Sequence, residues 1–468
     1  MHPWIRNEDD SRISFWQRVR EYAVPPSMIE TATARRSVGD WAGACAAAGF
    51  DVDVDLPALA RTRGRELAAR VRADLLHLAP DLLRWHMPRV APDGLLRPGL
   101  TVTLARYGAE HGNHWGRASP VHLVVRTAPA WADSGQRMSL ALWDESCPRA
   151  GTGSHPHPRP NRRFRLDLHR HLWDARRSGE LRMRSGTGQL IDRQVDPALR
   201  ELVAQGCAVG RWAAESELVL HADGCPPGPV LVRIGARRRV IVDGDIDPVV
   251  RIAQSCPRAT MAALPVLPHA ATWMPPDPAL LRAGAITADR LHPLVAAAFV
   301  PDAAPAVDSQ TSDVGPHLVW CRGEQHRIGL VNGVLAALDH SPDEIRREEL
   351  LTALSGSPLP CLRAIDLAHR RPDCLAGVRE RLIHGDVAGA LAVVESLLGP
   401  EARLRDGPLR DELDAAAQRD TIYRQFRAGL PQSLTPPQPL TPALRRARAH
   451  RAHPRHATPE PRRSAPSF

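Results

Sequence analysis

The sequence predicts an α+β protein built in several parts, and three observations carry that reading. Between residues 27 and 88 apolar side chains recur at helical spacing. Between 100 and 144 the pattern changes to alternating or continuous apolar runs bounded by turn residues. The connections between strand-like blocks are short, which pairs strands antiparallel instead of through crossover helices. The 44 prolines among 468 residues argue against a long continuous helix or solenoid.

The elements follow in chain order. In "SMIETATARRSVGD", Ser27 is placed as an N-cap, with Glu30 at the capping-box position. Gly39 and Asp40 stop that helix and start the next, "WAGACAAAG". Leu67, Val71, Leu75 and Leu78 then share one helical face, with arginines opposite. "LTVTLARYG", "VHLVVRTA" and "RMSLALWDE" read as strands, and "DVDVD" at 51–55 as an exposed edge or linker. A Gly/Pro/Ser-rich loop spans 146–162. After it, Phe164, Leu166 and Leu168 alternate with polar residues as a strand would, although Phe164, Leu168 and Leu172 also fit a helix.

Three further strands are read in "SELVLHA", "GPVLVRIG" and "RRVIVDG". Residues 301–316 have linker composition. Beyond them, "HLVWCR", "HRIGLV" and "GVLAALDH" predict a three-stranded meander, with Asn332-Gly333 as its type I′ turn pair. A helix follows, with Ser341 as N-cap, Pro342 at the first helical position and Glu344 as capping-box acid. The expected organisation is a helical segment with antiparallel strands over 1–145 and a mixed α+β region over 146–300. A β-meander with helices over 317–430 and a disordered basic tail over 431–468 complete it.

Composition excludes several chemistries. All 61 basic residues are arginine. Without lysine there is no Walker-A phosphate ligand, no pyridoxal Schiff base and no lysine general base. The net charge is +9, and seven arginines against the single acid Glu460 concentrate it beyond residue 430. The body is therefore no obvious nucleic-acid binder, and the basic character sits in the tail. The eight cysteines stand no closer than 13 residues apart, which leaves no Cys-x-x-Cys pair and no disulfide framework. "MHPWIRNEDD" lacks a signal-peptide layout, and no apolar run approaches the roughly 20 residues of a membrane span. A cytoplasmic protein without a membrane partner and without a cofactor is expected.

"GDWAGACA" (39–46) and "GDVAGALA" (385–392) echo one another. In both, Gly-Asp would end one helix and cap the next, and small residues would let two antiparallel helices pack closely. Each stretch resembles one helix hairpin of the tetratricopeptide kind, without the tandem 34-residue period.

Candidate sites are few. "GTGSHPHPRPNRRFRLDLHRHLWDARR", residues 151–177, holds four histidines and seven arginines. The candidate binding residues are Arg162, Arg163, Arg165, Arg170, Trp173, Arg176 and Arg177 within it, and Arg445, Arg446 and Arg448 in the tail. The candidate metal ligands are His169 and His171, together with His111 and His114 of "EHGNHWG". The histidines of the long stretch are nevertheless expected at the surface, with prolines holding His155 and His157 extended. No nucleophile elbow, dinucleotide fingerprint or complete calcium loop occurs, "DGDIDP" lacking both the glycine and the glutamate that such a loop requires. The sequence thus favours a non-catalytic interaction protein, an adaptor or scaffold with a protein partner. The alternatives are nucleic-acid association through the tail and residues 159–177, and a metal-dependent hydrolase using His111, His114, His169 and His171.

Overall fold

The structure, a computed structural model, describes residues 12–108, 120–146, 155–186, 197–235, 238–243, 249–252, 258–301, 317–321, 323–331, 334–341, 343–347, 350, 360–362, 375–398 and 407–430. Contacts group residues 1–429 into one compact unit and 430–468 into another. The expectations for the tail, the 301–316 linker beyond Pro301, Asn332-Gly333, Pro342 and "EHGNHWG" fall outside the described residues.

The fold is α+β with small sheets. The strands are β1 (Phe50–Asp53), β2 (Arg89–Val90), β3 (Leu95–Leu96), β4 (Thr101–Tyr107), β5 (Val121–Thr127), β6 (Met138–Asp144), β7 (Val230–Ile234), β8 (Arg238–Asp243), β9 (Val249–Ile252), β10 (His317–Cys321), β11 (Glu324–Val331) and β12 (Val334–Ala337). β4, β5 and β6 pair antiparallel as their turn-bounded pattern requires. β1 adds itself at the edge, parallel to β6. β5 is buried along its whole length: it lies between β4 and β6, and its Leu123 and Val125 enter the main core, which fits its continuous apolar run. The main core joins this sheet to Val71, Leu75 and Leu78 of the helix face read from the sequence.

Two local expectations require correction. The helix read from "SMIETATARRSVGD" runs Pro26–Ser37 and has Pro25 as its N-cap, so Ser27 lies inside the first turn and caps nothing. "SELVLHA" is not a strand: it ends the helix Trp212–Ala222. Its buried residues, Trp212, Glu215, Ser216, Val219 and Leu220, recur every three or four positions, and packing beneath β7 and β8 selects that period over β-propensity.

The two echo motifs both form helix hairpins. Asp40 accepts the Gly43 N–H and Asp386 the Gly389 N–H, at 2.8 and 2.9 Å. Gly385 has φ +88°, and a Cβ there would stand 2.0 Å from the Gly135 carbonyl oxygen, so only glycine fits this approach.

Arg84 joins these parts. Its side chain is 1% exposed and, among the described residues, forms no ion pair. Instead it donates to four backbone carbonyls: Ala23 (2.8 Å), Gln136 (2.8 Å), His384 (2.9 Å) and, more weakly, Ala48 (3.4 Å). Burial lowers its pKa to about 10, so the cation persists at neutral pH.

Candidate metal centre

The three-stranded sheet β10–β11–β12 is antiparallel throughout, with Cys321 opposite Glu324 and Val319 opposite His326. The two-residue period of a strand puts Val319 and Cys321 of β10 on the same face as His326 and Ile328 of β11. That face is the inner one: Cys321 and Ile328 are buried, whereas Trp320, Gln325 and Arg327 are exposed. His340 follows β12, where Ser341 begins a helical turn at 343–347 by accepting the Glu344 N–H at 3.2 Å. Cys361 arrives from a second helical turn at 360–362 and is 0% exposed.

These four side chains converge. One ligand atom each from Cys321, His326, His340 and Cys361 lies within 4.8 Å of every other. His326 Nδ1 is 2.8 Å from His340 Nε2, and Cys321 Sγ is 3.6 Å from the same nitrogen. Around a tetrahedral zinc, with Zn–S near 2.3 Å and Zn–N near 2.0 Å, ligand atoms stand about 3.3–3.8 Å apart. The sulfur–nitrogen distance already fits, and the two imidazoles would separate by about 0.5 Å. The far nitrogens face carboxylates, His340 Nδ1 to Glu344 at 3.4 Å and His326 Nε2 to Glu324 at 4.0 Å. Such outer carboxylates fix the tautomer that presents a lone pair to a metal. Burial, and then the neighbouring Cys321, push the Cys361 thiol up to about 12; a cation would displace its proton.

Of the metal ligands proposed from sequence, His169 and His171 sit elsewhere. His111 and His114 lie outside the described residues. His169 and His171 are 2% and 4% exposed, and His155 is 8% exposed with Nε2 3.1 Å from the Thr127 carbonyl. The expectation of surface histidines is therefore corrected for these three, because residues 155–173 cover the main sheet instead of looping away from it. His157 alone of the four is exposed. His169 meets Glu215 at 3.1 Å, and Arg184 also donates to that carboxylate. Among the described residues, these histidines join no group of three close ligands.

Burial raises the Glu215 pKa, but His169 and Arg184 outweigh it and bring it to about 2, well below the ordinary 4.5. A depressed carboxylate contributes stability above its unfolded value and loses it as pH falls through the folded one. Urea midpoints should therefore fall between pH 4.5 and 2, with Glu215 accounting for on the order of 3 kcal/mol. Glu215→Gln should flatten that acid limb; an unchanged limb would assign it to other groups.

Four of the six candidate arginines among the described residues are committed to ion pairs. Arg165 bonds Asp167 and Asp223, Arg170 and Arg176 both reach Asp74 and Asp174, and Arg177 pairs with Glu180. Trp173 is fully buried and donates its indole N–H to the Leu166 carbonyl, so it presents no free face for base stacking. Arg162 is exposed, and Arg163 lines a cavity. Arg445, Arg446 and Arg448 lie outside the described residues.

Two further features were not anticipated. The Cys/His centre escaped because its ligands have no tandem spacing; Cys-x₄-His across a tight hairpin was the only local signal. The buried His292 stands 2.8 Å from Asp81, while its Nδ1 accepts the Leu294 N–H. Both ring nitrogens are thus committed to structure, not to proton transfer. No described helix is long and apolar enough to cross a membrane. No protein-family model, curated protein or solved structure matches the chain.

Proposed function

We propose that this is a non-catalytic interaction protein whose C-terminal meander is held by a structural zinc ion on Cys321, His326, His340 and Cys361. The observation that carries the reading is the convergence of two cysteines and two histidines within 4.8 Å, three of them at most 8% exposed. Four protein ligands complete a tetrahedron and leave no position for water or substrate, which is the arrangement of structural rather than hydrolytic zinc. The local core explains the need. Beside the cysteines it has only Val319, Ala337, Ile345 and Leu362 among the described residues, too little apolar surface to hold a small module without a staple. The interaction part of the reading draws on the opposite face, where Trp320 is 67% and Leu338 41% exposed.

Elemental analysis of the purified full-length chain tests the proposal. About one zinc per chain is expected, with none in Cys321→Ser/Cys361→Ser. Cobalt substitution should give the visible bands of tetrahedral thiolate coordination in the parent protein only. Zinc that survives the double substitution, or a folded parent protein without zinc or cobalt uptake, would overturn it. Zinc lost instead from a His111→Ala/His114→Ala variant would move the metal to the alternative site.

A further inference from the structure

A second constellation lies against the main sheet, away from the Cys/His centre. A cavity of about 370 Å³ is lined by Arg97, Arg159, Arg163 and Arg233, with His157 and Asn161. No acidic residue lines it among the described residues. Among the described residues, no carboxylate stands within ion-pair distance of any of the four arginines. This contrasts with Arg165, Arg170, Arg176 and Arg177 close by in sequence, each of which has a carboxylate.

Two of the arginines, Arg97 and Arg163, are held in place although their charges repel. The guanidinium carbons of Arg97 and Arg163 stand 5.3 and 5.2 Å from the centre of the same Phe164 ring. Arg163 donates to the Arg233 carbonyl at 2.9 Å and the Gly235 carbonyl at 3.4 Å, while its Nε is buried without a partner. Asn161 spends its Oδ1 on the N–H groups of Arg163 and Phe164, which leaves its amide nitrogen to donate. Burial, then Arg233 and Arg97, lower the Arg163 pKa to about 10. Burial, then Arg163 and Arg97, bring His269 down to about 3. A concave site with four like charges, spare donors and no counter-charge is complementary to an oxyanion.

We propose that this cavity binds a small phosphorylated ligand, its phosphate held by Arg97, Arg159, Arg163 and Arg233. Its volume falls within the roughly 300–1,000 Å³ of small-molecule pockets. A concave pocket of this size suits a compact polyanion better than a duplex, whose phosphates are spread along a rod about one charge per 1.7 Å.

Calorimetric titration of the full-length protein with pyrophosphate, beside a 20-base-pair DNA duplex, tests the proposal. The informative variant is Arg159→Ala/Arg233→Ala. It removes two charges and spares the backbone carbonyls that anchor Arg163. Pyrophosphate should bind the parent protein, and the variant should bind it about a hundredfold more weakly, as expected for two charge-assisted contacts. Without ligand, the thermal midpoint of the variant should be unchanged or higher, since like-charge repulsion is relieved. Absence of pyrophosphate binding at about 10 mM, or equal affinity in parent and variant, would overturn the proposal. Duplex binding that the variant loses and that pyrophosphate does not displace would overturn it in favour of nucleic acid.

Discussion

Replacing Arg84 with methionine is expected to destabilise the protein by about 3–5 kcal/mol, a large part of the 5–15 kcal/mol that domains possess. The side-chain volume is roughly kept, so packing changes little. What is lost is the donor set for the carbonyls of Ala23, Gln136 and His384, bonded at 2.8–2.9 Å, and for the more distant Ala48. Each buried carbonyl left without a donor costs about 1–3 kcal/mol. Arg84→Lys keeps the charge but lacks the planar fork that reaches separate acceptors at once, and it should recover less than half of the loss. Urea unfolding followed by tryptophan fluorescence checks both. A change below about 1 kcal/mol for the methionine variant would show that water satisfies these carbonyls instead.

Removal of zinc should have a comparably large but local effect. Structural zinc contributes apparent binding energies of about 10–16 kcal/mol, far more than the small apolar core around Cys321 and Cys361 can supply. On chelation, amide hydrogens of β10, β11 and β12 should lose exchange protection by several orders of magnitude. Those of β4, β5 and β6 should keep theirs, because that sheet belongs to the large core formed with Val71, Leu75 and Leu78. Cys361→Ser should reproduce the effect without chelator. Protection of β10–β12 that survives both treatments would make the centre dispensable for folding.

Local pattern was sufficient for much of the fold. The helix face of Val71, Leu75 and Leu78, the three strands between 100 and 144, the C-terminal meander and both Gly-Asp caps were legible. In each case period, cap chemistry or turn spacing acts over a few residues and repeats a known physical constraint. "SELVLHA" was not legible: its composition suits a strand as well as a helix, and contact with β7 and β8 decides the matter.

The sites divide along the same line. The sequence by itself determined which chemistries are absent, since a chain without lysine cannot supply a Walker-A ligand or a Schiff base. It also determined that charge would be carried by arginine. Only the tertiary structure decided which arginines are neutralised. Arg165, Arg170 and Arg176 find Asp74, Asp167, Asp174 and Asp223, some of them about a hundred residues away, whereas Arg97, Arg159, Arg163 and Arg233 meet one another. The metal centre follows the same logic. Its ligands span residues 321 to 361 and become neighbours through strand register and two helical turns. The distance between such side chains is set by packing, which sequence spacing does not encode.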